Sequence, residues 1–80
     1  MVELKLMSRG YCHLCHDMEA AVLTLVDEFD LSLVVLDVDA DPTLEAIYDE
    51  LVPVLLHGEI ELCRYFFDQA KVREYLAGIR

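Results

Sequence analysis

Tyr11-Cys12-His13-Leu14-Cys15-His16 holds the side chains that can do chemistry. Two thiols three positions apart, with two imidazoles among them, allow three readings. Cys-x-x-Cys can cycle between a dithiol and a small-ring disulfide. Cys-x-x-Cys-His is also the attachment string of a c-type haem. Cys12, Cys15, His13 and His16 together offer soft ligands to a metal. The surrounding elements decide among these.

Ahead of the stretch, Val2, Leu4 and Leu6 alternate with Glu3, Lys5 and Met7, which predicts a strand with one drier face. Ser8, Arg9 and Gly10 break the pattern. From Leu14 the apolar positions are Leu14, Met18, Ala21, Val22, Leu25, Val26 and Phe29, a helical stripe of about four turns. Cys12 therefore stands at a helix tip. Backbone N–H groups there lack intrahelical partners, and the helix dipole adds roughly half a positive charge. Both favour a thiolate, and such sites lower a Cys pKa from about 8.5 to roughly 3.5–7.5. Cys15 lies inside the first turn, with less access. Cys12 is thus expected to attack and Cys15 to resolve the mixed disulfide. A protonated His13 would stabilise the thiolate further. Arg9 adds positive potential, while Asp17 and Glu19 oppose it. His16 reads as an ordinary helix residue.

Further along, Leu31 to Val38 (LSLVVLDV) is a β-branched run expected to form a strand buried on both faces, as in a parallel pair. Asp41 is a candidate helix cap and Pro42 a first helical residue, with Leu44, Ile47, Tyr48 and Leu51 at helical spacing. PVLLH (residues 53–57) predicts a third strand. Gly58 and Glu59 turn into a fourth, IELCR (residues 60–64). Asp68 can cap a last helix whose inner face is Val72, Tyr75, Leu76 and Ile79. The order β-α-β-α-β-β-α gives an α/β domain over residues 1–80, with a four-stranded mixed sheet flanked by helices. The first two strands are expected to be parallel through a right-handed crossover, the last two an antiparallel hairpin.

Composition narrows function. Eighty residues suffice for one small domain, so a site should lie in a surface groove. Sixteen acidic residues against six basic ones give a formal charge of −10. That disfavours nucleic acid and anionic membranes; it suits a solvated acidic surface or an attraction to basic protein partners. No stretch approaches the ~20 apolar residues of a membrane helix. The opening MVELKLMSRGYC lacks the basic and apolar regions of a signal peptide, so a cytoplasmic location is expected; separately, the domain is expected to be a monomer. The haem reading needs export and a helical wrapper, which this strand-rich pattern does not supply. A closed zinc site usually draws on two separated knuckles. His57 and Cys63 are the only other His and Cys, and His57 belongs at the far end of the third strand. Cys63 reads as a structural thiol.

Strand, SRGYCHLC, long helix, strand, helix, LVPVLL, hairpin and helix together resemble the thioredoxin fold in its compact glutaredoxin form. The resemblance covers nearly the whole chain and is nearest to a small bacterial glutaredoxin-like family. Its marks are the short length, the Cys pair, the Asp-x-Asp-x-Asp-Pro stretch of Asp37 to Pro42, and Val-Pro-Val-Leu. It implies a thiol–disulfide oxidoreductase or electron carrier, with Cys12 and Cys15 as its redox pair and no separate cofactor. It also implies a cis Pro53 facing the pair and a Val52 backbone that pairs with substrate. Arg9, Tyr11, His13, Val52, Pro53, Phe67 and Asp68 are the expected substrate contacts. The glutathione-binding members carry Gly-Gly before the Asp of the last helix; here Phe66-Phe67 precedes Asp68. Bulky rings obstruct close backbone approach, so a protein disulfide is expected as substrate rather than glutathione, with an unnamed reductant. The plain reading of Tyr65-Phe66-Phe67 is that at least two rings fill core. A redox-inert interaction module and a Cys-mediated metal or cluster protein remain the alternatives.

Overall fold

The computed structural model describes residues 2–79. Strand β1 (Val2–Ser8) leads to helix α1 (His13–Leu23), the short helix α2 (Val26–Phe29) and strand β2 (Leu31–Asp37). A 3₁₀ turn (Val38–Ala40) enters helix α3 (Pro42–Tyr48); then come β3 (Val54–His57), β4 (Ile60–Arg64) and α4 (Gln69–Ile79). The sheet order is β2-β1-β3-β4. β1 runs parallel to β2 and antiparallel to β3, and β3 runs antiparallel to β4. This is the thioredoxin-like architecture, in the expected element order.

The core has two parts, one on each face of the sheet. On one face Leu4, Leu6, Leu31 and Leu55 meet Met18, Val22, Leu25 and Phe29 of the first helical segment and Val72 and Leu76 of α4. On the other, Met7, Val54 and Leu56 meet Cys15, Val38 and Val52, with Leu44 and Tyr48 of α3 against them. Met7, expected on the wetter face of β1, is buried because α3 roofs that end of the strand. A register shift between Leu55 and Leu56 leaves Leu62 without a cross-strand partner. The resulting bulge lets Leu62 and Cys63, neighbours in sequence, enter the same core cluster.

Four elements differ from the sequence expectation. The four-turn helix is interrupted at Thr24–Leu25. There the Thr24 and Leu25 N–H groups bond only three residues back, to Ala21 O (3.3 Å) and Val22 O (2.9 Å). The Thr24 hydroxyl also donates to Ala21 O (2.6 Å), a back-bond that competes with the regular helix ladder. β2 is not buried on both faces: it is an edge strand, and seven-residue α3 is too short to cover it, so Val34 (36%) and Val35 (41%) are exposed. Helix α3 stops at Tyr48, which leaves Leu51 outside the helix and both Ile47 and Leu51 in solvent. On α4, Ile79 is likewise exposed, while Val72 and Leu76 carry the packing.

Candidate active site

Ser8 ends β1, and the chain turns through Arg9, Gly10 and Tyr11 into α1. The turn closes where the Cys12 N–H donates to Arg9 O (3.2 Å). Cys12 is the N-cap of α1, in extended conformation (φ −94°, ψ 111°), and its Sγ accepts the Cys15 N–H at 3.1 Å. One of the helix's unpaired first-turn donors is therefore aimed at sulfur, the geometry that favours a thiolate. Cys12 is partly exposed; Cys15 is 1% exposed and sits in the core part shared with Met7 and Val52. The two sulfurs are joined as a disulfide across a Cα–Cα distance of 5.2 Å.

The other expected residues are distributed unevenly. Arg9, Tyr11, Cys12, Glu50 and Val52 line one open groove of about 320 Å³. The Val52–Pro53 peptide bond is cis, and Pro53 is buried. Pro53 O accepts the Tyr65 N–H at 2.8 Å; among the described residues the Val52 backbone takes part in no main-chain hydrogen bond. His13 is exposed and lies outside the groove lining, with its Nε2 3.6 Å from Asp17 one turn along. Asp68 caps α4, its Oδ1 accepting the Lys71 N–H (3.0 Å). Tyr65 and Phe66 are exposed, and only Phe67 packs against the core. The expectation that two of these rings fill core is thus corrected. Tyr65 takes a left-handed φ of 67° beside Pro53, which turns the chain so that the next ring faces solvent.

Arg9 is held from three sides. Its Nε lies 3.2 Å from Asp39 and its Nη2 3.7 Å from Asp49, while Nη1 donates to the Tyr11 hydroxyl (2.9 Å). Burial by itself lowers the Arg9 pKa; Asp39, Tyr11 and Asp49 reverse that, and the net shift is upward. The Asp-x-Asp-x-Asp stretch gains a structural account from this. Asp37 Oδ1 accepts the Asp39 N–H (2.9 Å) and caps the 3₁₀ turn; Asp41 Oδ1 accepts the Thr43 N–H (2.9 Å) and caps α3. Asp39, between them, is aimed at Arg9. Asp49 and Glu50 were missed from the sequence, although two acids immediately before Leu-Val-Pro were a readable signal. His16 is more than an ordinary helix residue: its Nε2–H donates to Gly10 O (3.1 Å) and fastens the turn ahead of Cys12.

The four candidate metal ligands diverge. His13 turns to Asp17, His16 to Gly10 O, and Cys12 bonds Cys15. Among the described residues no three His, Cys, Asp or Glu side chains gather into a metal-holding group. No described helix is long and apolar enough to cross a membrane. Cys63 is a buried free thiol, and burial pushes its pKa up against partial offsets from the Asp68 backbone and Lys71. Iodoacetamide at neutral pH is therefore expected to label Cys12 of the reduced native protein and spare Cys63 until the pH is strongly alkaline. Peptide mapping showing equal labelling of both would contradict this.

A four-stranded mixed sheet with a Cys-x-x-Cys pair at the tip of the first helix and a cis-proline at the start of the third strand defines a thioredoxin-fold protein with its cysteine pair joined as a disulfide. The family model of the glutaredoxin-like domain (DUF836) matches residues 3–77, and the chain belongs to that family. Protein Ne2328 from Nitrosomonas europaea is similar at 33% identity and a TM-score of 0.78, over 92% of this chain and 89% of that one. Target protein XcR50 from X. campestris is 30% identical, with a TM-score of 0.66 over 94% and 96% of the two chains. Thioredoxin 1 from Thermosipho africanus is 25% identical, with a TM-score of 0.60 over 96% and 89%. No curated protein matches the chain.

Proposed function

We propose that the protein is a thiol–disulfide oxidoreductase that exchanges electrons with protein disulfides. The observation that carries this is the Cys12 sulfur at the α1 cap, accepting the Cys15 N–H, with Cys15 buried behind it. The Cys12 thiolate attacks one sulfur of the substrate disulfide and forms a mixed disulfide, and the other substrate sulfur leaves as a thiolate. Cys15, deprotonated, then attacks the Cys12 sulfur and expels the second substrate thiolate. Two electrons pass from the dithiol to the substrate, and the two thiol protons end on the substrate thiols. A dithiol reductant returns Cys12–Cys15 to the reduced state. The Val52 backbone, on the groove wall with Cys12, is free to pair with an extended substrate segment. A protein substrate is favoured over glutathione by the exposed Phe66, and by an Arg9 already engaged by two carboxylates. We place the cycle in the cytoplasm, where thiol pools keep such a pair reduced.

Titration of the purified protein against mixtures of reduced and oxidised dithiothreitol tests the reading. A single two-electron transition, lost in Cys12→Ser, is expected. A pair that stays in one state across the whole range would leave the fold as an interaction module.

A further inference from the structure

The groove beside Cys12 has a charge of its own. Arg9, the one cation lining it among the described residues, is offset by Asp39 at 3.2 Å and Asp49 at 3.7 Å. Glu50 lines the same groove, is exposed, and makes no ion pair or hydrogen bond among the described residues. The groove's guanidinium is thus matched by two carboxylates from outside the lining, and Glu50 adds an unpaired carboxylate on the wall it shares with Cys12. Tyr11, on the same wall, is 77% exposed and presents an aromatic ring to solvent, with Arg9 6.0 Å from its centroid. A free carboxylate and an open ring together suit a lysine or arginine side chain, through an ion pair and a cation–π contact. The chain's formal charge of −10 draws the same class of partner at longer range.

We infer that Glu50 is a specificity-determining residue of this groove, and that the groove selects protein disulfides flanked by lysine or arginine and disfavours anionic ones. The inference rests on the dithiol reading above and adds the substrate class. An arginine approaching along the Val52 edge exchanges water for the Glu50 carboxylate while its disulfide meets Cys12. Glutathione disulfide, rich in carboxylates, meets like charge at the same place. Asp39 and Asp49 act indirectly, by cancelling the charge that would otherwise attract such an anion.

The test uses three short peptide disulfides of equal length with capped termini. Lys, Gly or Glu flanks the cysteine. The reduced wild-type protein is mixed with each at low salt, and oxidation of Cys12–Cys15 is followed by mass spectrometry after acid quench. Each rate is divided by that of free dithiothreitol with the same peptide, which removes the peptide's own reactivity. The Lys peptide is expected to react on the order of 10-fold faster than the Glu peptide, a typical steering effect. The advantage should shrink at ~1 M salt, where the Debye length is about 3 Å. It should fall in Glu50→Gln and fall further in Glu50→Lys. A Lys-to-Glu ratio unchanged in both variants overturns the inference while leaving the dithiol reading intact, provided the Gly peptide oxidises the wild type. Failure of all three peptides to oxidise it overturns both.

Discussion

Cys12→Ser is expected to reduce disulfide exchange to the uncatalysed rate, whereas Cys15→Ser is expected to stop the cycle one step later, as an accumulated mixed disulfide on Cys12. The asymmetry follows from access. The Cys12 sulfur caps α1 at the groove, and Cys15 is buried beneath it. The same geometry sets the reactivity of Cys12 once Cys15 is replaced by Ser. An ordinary thiol is only a few per cent thiolate at pH 7, so a pKa near 7 raises the reactive fraction by about an order of magnitude. The pH dependence of Cys12 alkylation in Cys15→Ser should give a pKa in the range of roughly 3.5–7.5 found for cysteines at helix N-termini. The sign is that of an acid whose charged form is stabilised: alkylation stays fast as pH falls below 8.5 and declines only on crossing the lowered pKa. A pKa at or above about 8.5 would remove the activated thiolate from the account. His13 is expected to contribute little to this shift, because it lies one turn from Asp17 and outside the groove.

The largest stability effect is expected at Leu6. It is fully buried, it pairs with Val35 on one side and Leu55 on the other, and it lies in the core part under α1 and α4. Leu6→Ala removes about 2–5 kcal/mol, from lost burial and the cavity left behind. A domain of 80 residues has only about 4–12 kcal/mol in total, at roughly 0.05–0.15 kcal/mol per residue. The substitution therefore takes a large share of the stability and can unfold a marginal fold. Urea unfolding should show a lower midpoint at nearly unchanged slope. Leu23→Ala is the matched control. Leu23 is 54% exposed, so its loss should stay near 0.5 kcal/mol, the usual range for surface changes. Equal losses at the two positions would contradict the assignment of the core.

Much of this was legible in the chain because local patterns carry it. The alternation of Leu4 and Leu6 and the stripe through Met18 and Val22 set the first strand and helix. Asp41 and Pro42 set the start of α3, and Gly58 (φ 63°) the hairpin turn. These are short-range effects of sterics, capping and period, and they put Cys12 at a helix tip without reference to the rest of the fold. The break at Thr24 was not legible, since Val22, Leu25 and Val26 keep helical spacing across it. Nor was the exposure of β2. A β-branched run says that a strand forms, but its place at the sheet edge depends on how far α3 reaches across the face.

The sequence by itself determined the kind of chemistry, through Cys12 and Cys15 one turn apart at a helix start, and the fold that carries it. Tertiary structure decided the surroundings of that chemistry. It brought Asp39 and Asp49, 30 and 40 positions from Arg9, onto its guanidinium, and set Glu50 and Val52 beside Cys12. It also turned His13 toward Asp17 and tied His16 to Gly10. Ion pairs and groove walls depend on which side chains meet across the packed sheet and helices, and no local period encodes that meeting.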